Sequence, residues 1–242
     1  MMQTPDYLRH VNVLHYQIQL NSPNYYVFDY ILNNSNATYM INQQDKEYGN
    51  TPLHIACMQD TDYECHYDKL IRHPALLINL RNDKGMTVFH QACYFMKTYI
   101  INNLLDNPGV DIMLIDFGGE NALHHIIQRY CSLLHSAAGG TECLNKLSME
   151  CIHMLLTKNP YLVCQENNAK ETAYDYACKW RDTRKHRHTN VRLNNKSRLL
   201  SDWEYDHEFW CTLANVLREY EMKGRHRIYT YILNSFTKNN PI

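Results

Sequence analysis

The chain has 242 residues, enough for one large domain or a short repeat array with a substantial core. Its 24 Lys and Arg against 25 Asp and Glu leave a formal charge of −1, so no overall field draws it to nucleic acid or to an anionic membrane surface. No apolar run approaches the ~20 residues that cross a bilayer, which excludes membrane insertion by a helix.

In chain order, the first patterned element is HVNVLHYQI (10–18), with an outer helix expected near 24–33. GNTPLHIAC (49–57) repeats the pattern in sharper form and is followed by a helix near 64–72. GMTVFHQAC (85–93) opens an inner helix near 88–95. Its outer partner, near 97–106, places Ile100, Ile101, Leu104 and Leu105 on one face, and Pro108 with Gly109 stops it. GENALHHII (119–127) begins a fourth copy whose outer helix is expected near 143–157, after an insertion through 131–149. KETAYDYAC (170–178) is the fifth, and a basic stretch over 181–198 follows it. Ser201 and Glu204 then form a capping box for a helix with Trp203, Phe209, Trp210, Leu213, Leu217 and Tyr220 at helical spacing. Gly224 ends that helix, and a last amphipathic one is expected from Ile228 to Phe236.

Two markers run in step. One is His15, His54, His90, His124 and Asp175; the other is the set HPALLIN (73–79), NPGVDIM (107–113) and NPYLVCQ (159–165). Thr51 and Thr87 suit the N-cap, where a side-chain oxygen accepts from an orphan N–H, and Pro52 suits the first helical position, which needs no donor. Gly49, Gly85 and Gly119 suit a turn with positive φ. The period and the T-P-L-H-x-A signature resemble the ankyrin repeat, a turn plus two helices, over about residues 7–180.

The resemblance implies an all-α ankyrin-repeat solenoid of about five repeats. These lie near 7–42, 43–79, 80–115, 116–165 and 167–200, with insertions at 131–149 and 181–198. Residues 201–242 are expected to form a C-terminal helical cap on this 1–200 domain. By the same resemblance, His54, His90 and His124 tie one repeat to the next. Ala56-Cys57, Ala92-Cys93 and Ala177-Cys178 fill the close contact between inner helices, where Cys behaves as a small hydrophobe. Nine cysteines, an odd number, and an N-terminus without the basic and apolar regions of a signal peptide fit reduced thiols. The Asn and Tyr abundance reads as a bias of the source.

The functional expectation is protein–protein recognition on the concave side, by a scaffold or adaptor that is not an enzyme. Turn positions and the exposed inner-helix ends supply the candidate site. These are Glu47, Tyr48, Asn50, Met58 and Gln59; Asp83, Lys84, Met86, Tyr94 and Phe95; Phe117, Glu120, Gln128 and Arg129; and Lys179 and Trp180. Aromatic, Met and Arg side chains are the types enriched at interface cores. No cofactor, metal or small-molecule substrate is expected. Cys131, His135, Cys143, Cys151 and His153 cluster in sequence but lack the short paired spacings of a zinc site. The alternatives are an enzyme or pseudo-enzyme using Cys and His of the insertions, and nucleic-acid or phosphate binding by the basic stretch 181–198, which also suits nuclear import. The expected location is cytoplasmic. Ankyrin proteins that host-associated bacteria deliver into eukaryotic cells are similar in their irregular repeats, as are proteins of eukaryotic viruses and protists; for a delivered protein that location is a host cytosol.

Overall fold

The computed structural model describes residues 12–20, 25–34, 37–59, 65–136, 141–179, 212–220 and 222. The chain divides into two compact units, Met1–Gly118 and Gly119–Ile242. The secondary structure of the described residues is helical, with one isolated antiparallel bridge between Glu166 and Thr172.

In the first unit, α1 (Val13–Gln19), α4 (Pro52–Met58) and α6 (Val88–Tyr94) are inner helices that pack side by side. α2 (Tyr25–Leu32), α5 (Cys65–Ile71) and α7 (Thr98–Asp106) are their outer partners, and the short α3 (Ala37–Met40) links the first pair to the second. The inner helices are short because the sequence bounds them closely. Thr51 and Thr87 cap the N-termini, each taking the backbone N–H of the His three residues on, while that His accepts from the cap's own N–H. Asn12 does the same for α1, and Pro52 occupies the first helical position of α4. Leu14, Leu53, Val88, Phe89, Ala92 and Cys93 are buried between the inner helices and their neighbours, and α7 buries Ile100, Ile101, Leu104 and Leu105 as its spacing predicts. Outer helices are linked across the surface: Lys69 on α5 pairs with Asp29 on α2 at 2.6 Å, and the Tyr99 hydroxyl on α7 donates to Asp68 on α5.

The second unit contains α8 (Ala122–Ser136) and α9 (Thr141–Lys158), which pack on each other and on a 3-10 turn, Pro160–Cys164. A short helix, α10, covers 173–179, and α11 covers 212–220. The expected insertion at 131–149 requires correction. Residues 131–136 and 141–149 are helical, so both helices of the fourth repeat extend into the expected insertion, and residues 137–140 lie outside the described residues. The lengthened pair is justified by buried spacing: Ile127, Tyr130 and Cys131 on α8, and Asn145, Ser148, Cys151, Ile152, Leu155 and Leu156 on α9. Tyr130 fastens the two helices by donating from its hydroxyl to Asn145 Oδ1 at 2.6 Å. Of the expected C-terminal cap, α11 is described and buries Leu213, Ala214 and Leu217. The Ser201/Glu204 capping box, Trp203, Phe209, Trp210, the helix expected over 228–236, the basic stretch 181–198 and Trp180 lie outside the described residues.

Candidate functional site

The site is built on a ladder of buried polar side chains. In His54 the backbone N–H of Thr51 points at Nδ1 (3.3 Å), while Nε2 lies 3.1 Å from Met86 O in the next repeat. An amide N–H can only donate and a carbonyl can only accept, so the ring is neutral with its proton on Nε2. His90 is fixed the same way, with Nδ1 facing Thr87 N (3.1 Å) and Nε2 donating to Leu114 O (2.9 Å). His15 reaches Asn50 O and His124 reaches Glu171 O. These acceptors lie four residues before the next marker, His54 and Asp175. Burial holds the His54 pKa down at about 4 and lowers that of His15, despite their carbonyl partners and the nearby Asp45 carboxylate.

Turn geometry supplies the second layer. Gly49, Gly85 and Gly119 have φ of +67°, +79° and +77°, and Lys170 takes the same conformation at +63° in the last turn. Each turn also starts with an Asx residue whose side-chain oxygen accepts from backbone N–H groups within the turn: Asp45 from Glu47 and Tyr48, Asn82 from Lys84 and Met86, Asp116 from Gly118, Asn167 from Ala169 and Glu171. Sequence reasoning missed this third marker. Its signal is an Asx three residues before the turn position that holds Gly85, Gly119 or Lys170, and four before Gly49. Asparagine further clamps successive loops. Asn42 donates to Ala75 O and accepts from Leu77 N, and Asn79 donates to Gly109 O and accepts from Asp111 N, the same pair of bonds one repeat later.

On this framework the expected binding residues separate into groups. Glu47, Tyr48, Asp83, Lys84 and Phe117 are exposed together along the turn edge of the first unit. Asp83 N donates to Tyr48 O (2.9 Å) and Phe117 N to Lys84 O (3.1 Å), so consecutive turns are in backbone contact. Met58, Gln59, Tyr94 and Phe95 are half-buried at the ends of α4 and α6, with the Tyr94 and Phe95 rings edge to face at 5.2 Å. In the second unit Lys179 is exposed, and it bonds Glu171 at 2.7 Å; Glu120, Gln128 and Arg129 are half-buried. Asn50 and Met86 are corrected out of the surface, at 3% and 9% exposure. Asn50 Oδ1 accepts from Asn82 Nδ2 and its carbonyl accepts from His15, while Met86 donates its N–H to Asn82 and receives His54 on its carbonyl. Both therefore belong to the framework that joins repeats. The outer side holds a set that sequence reasoning did not single out: Tyr26, Tyr30 and Tyr39 are all strongly exposed.

The thiols are placed as packing groups. Cys57 and Cys93 are buried and form no disulfide, and burial pushes the Cys57 pKa up. Cys178 is half-buried, which corrects the expectation that all three inner-helix cysteines are core. Cys131 and Cys151 are also buried, and burial with the adjacent Glu150 raises Cys151 to about 12, so it is a thiol and not a nucleophilic thiolate at neutral pH. No helix among the described residues is long and apolar enough to cross a membrane.

Comparison with known proteins agrees with this geometry. A family model for ankyrin repeats (three copies) matches residues 14–116. Over 67 residues, 28% of this chain, the sequence is 34% identical to an ankyrin repeat protein of fowlpox virus (strain NVSL). That stretch is 9% of the fowlpox protein, so the chain spans a small part of the relative it matches.

Proposed function

Residues 14–116 belong to the ankyrin repeat family, and on that premise we propose that the chain is a non-catalytic recognition scaffold that holds a partner protein on its turn edge and inner-helix ends. The observation that carries the reading is the exposure of Tyr48 and Phe117 on turns whose buried polar groups are committed to the framework. Large aromatic side chains held in water by a rigid backbone are characteristic of interface hot spots.

Capture from a eukaryotic cell lysate tests this with the intact chain and with Tyr48→Ala, Tyr94→Ala and Phe117→Ala. The same captured protein should bind more weakly to at least one variant, by roughly 1 kcal/mol or more for a hot spot, with the thermal midpoint unchanged. Capture that survives all three changes moves the partner site off this surface.

The proposal extends to setting. Seven described cysteines are outside any disulfide, which suits a reducing compartment such as the cytosol. The proposal includes a host-directed role, and the fowlpox relative supports the viral one of the expected sources. Fractionation of eukaryotic cells expressing the full chain checks the location; a nuclear pool lost when the Arg and Lys residues of 181–198 are replaced would assign import to that stretch.

A further inference from the structure

Tyr48 and Phe117 differ from ordinary exposed aromatics because each stands on a hydrogen-bonded turn. The Tyr48 backbone N–H is taken by Asp45 Oδ1 at 2.7 Å and its carbonyl accepts from Asp83 N at 2.9 Å, which fixes the turn that carries the ring. Phe117 lies against the backbone of Gly85, where a Cβ would stand 2.7 Å from the ring and 2.6 Å from Phe117 N. One side of the ring is thus seated on a glycine, yet 64% of the residue remains exposed, and Tyr48 is 54% exposed. One residue after the Asx, the other turns carry Lys46, Asp83 and Asn168, so the repeat itself does not require a ring at this place.

The separation of the two rings follows from the hydrogen bonds. Tyr48 is paired with Asp83, Asp83 is joined to Lys84 by one peptide, and Lys84 is paired with Phe117. Two cross-chain steps of about 5 Å and one chain step of about 3.8 Å, the last running across the other two, put the Tyr48 and Phe117 backbones about 11 to 14 Å apart. Four residues of extended chain cover about 13 Å, and side chains at i and i+4 point to the same face. Along this turn edge the exposed charges are Lys46, Glu47, Asp83 and Lys84, two of each sign. A polyanion gains nothing from such a strip, whereas a near-neutral polypeptide crosses it without a desolvated block of like charge.

We propose that the turn edge of the first unit binds an extended, near-neutral polypeptide segment carrying large apolar side chains at positions i and i+4, one seated on Tyr48 and the other on Phe117. This rests on the recognition reading above and names the chemistry of the partner. Both rings stand on turns whose backbone is fixed before binding, so little backbone entropy is lost on contact.

Fluorescein-labelled synthetic peptides with a Ser/Thr background and two Leu residues separated by two to six positions test it, read by fluorescence anisotropy against the full chain. Affinity should peak at the i, i+4 peptide and fall at least threefold at i+3 and i+5, where the second Leu turns to the other face. The preference should vanish in Tyr48→Ala and in Phe117→Ala, which remove exposed side chains and leave the thermal midpoint in place. Equal binding at all separations, no binding, or a preference that survives both substitutions overturns the proposal. A 12-nucleotide oligo-dT that competes with the i, i+4 peptide also overturns it and assigns the edge to nucleic acid. The two readings fail separately. A lysate partner lost with Tyr94→Ala but no spacing preference leaves recognition standing without the two-anchor edge; a spacing preference without any lysate partner does the reverse.

Discussion

Lys170 occupies the left-handed conformation that Gly49, Gly85 and Gly119 occupy in the other turns. An L side chain there costs on the order of 1 kcal/mol. Its ion pair with Glu166, at 3.7 Å between largely exposed groups, offsets little of that. Lys170→Gly should therefore stabilise the second unit by up to about 0.5 kcal/mol after the entropy of glycine is deducted, seen as a slightly higher urea midpoint. A lower midpoint would show that the side chain has a role beyond the turn. Tyr67 offers a second test. Its ring is buried on α5 with a hydroxyl that finds no hydrogen-bond partner among the described residues, and burial pushes its pKa up. Tyr67→Phe should be neutral or stabilising by up to about 1 kcal/mol, while Tyr67→Ala should cost about 3–5 kcal/mol through the cavity it leaves. At this scale the sequence was informative where one residue type answers one local demand, as at Thr51, Pro52 and Gly85. It was misleading at Asn50 and Met86, whose burial depends on Asn82 and on the histidine of the preceding repeat.

Between elements, asparagine turns out to be a structural material. Asn12 and Asn121 cap helices and also donate to Met40 O and Leu162 O; Asn42 and Asn79 clamp loops; Asn82 and Asn167 start turns. Composition alone made the Asn excess look like a property of the source, because an amide bridging two loops is visible only once those loops are adjacent. The clamp can be tested by halves. Asn79→Asp keeps an acceptor for Asp111 N but sets a carboxylate against Gly109 O, and should cost about 1–2 kcal/mol. Asn79→Ala, which removes both bonds from a partly exposed place, should cost no more than that, and the order of the two in a denaturant titration checks the assignment. The fourth repeat shows a different limit of sequence reading. Ser, Ala and Gly around 136–140 favour a loop, yet Tyr130, Cys131, Asn145 and Ser148 are buried at helical spacing and carry the helices far into the insertion.

For the molecule as a whole, the histidine ladder links stability to pH. Folded His54 must be neutral, because a second ring proton would face the Thr51 N–H. In the unfolded chain histidine titrates near 6.5, and in the folded chain burial lowers His54 to about 4. Below 6.5 the unfolded chain takes a proton that the folded chain refuses. The stability is complete above about pH 6.5 and is lost as pH falls toward 4, by about 3 kcal/mol at most from His54, with His15 acting in the same direction. Urea midpoints at pH 7.5 and 4.5 should differ accordingly, and His54→Gln should flatten the slope. A pH-independent midpoint would mean that the ring gains its proton without breaking the tie.

The same ladder has an order in time. His15 reaches forward to Asn50 and His54 forward to Met86, so in each case the donor is made on the ribosome before its acceptor. A nascent chain thus carries an unspent imidazole N–H at its growing end until about one more repeat has emerged and offers a carbonyl. Assembly from the N-terminus then proceeds by completion, each new turn closing the account of the helix before it. Asp175 breaks the succession: its carboxylate is spent on Thr172 N and Oγ1 of its own cap, and it has no ring donor to extend. The last repeat of the pattern makes no demand of this kind on whatever the ribosome delivers next.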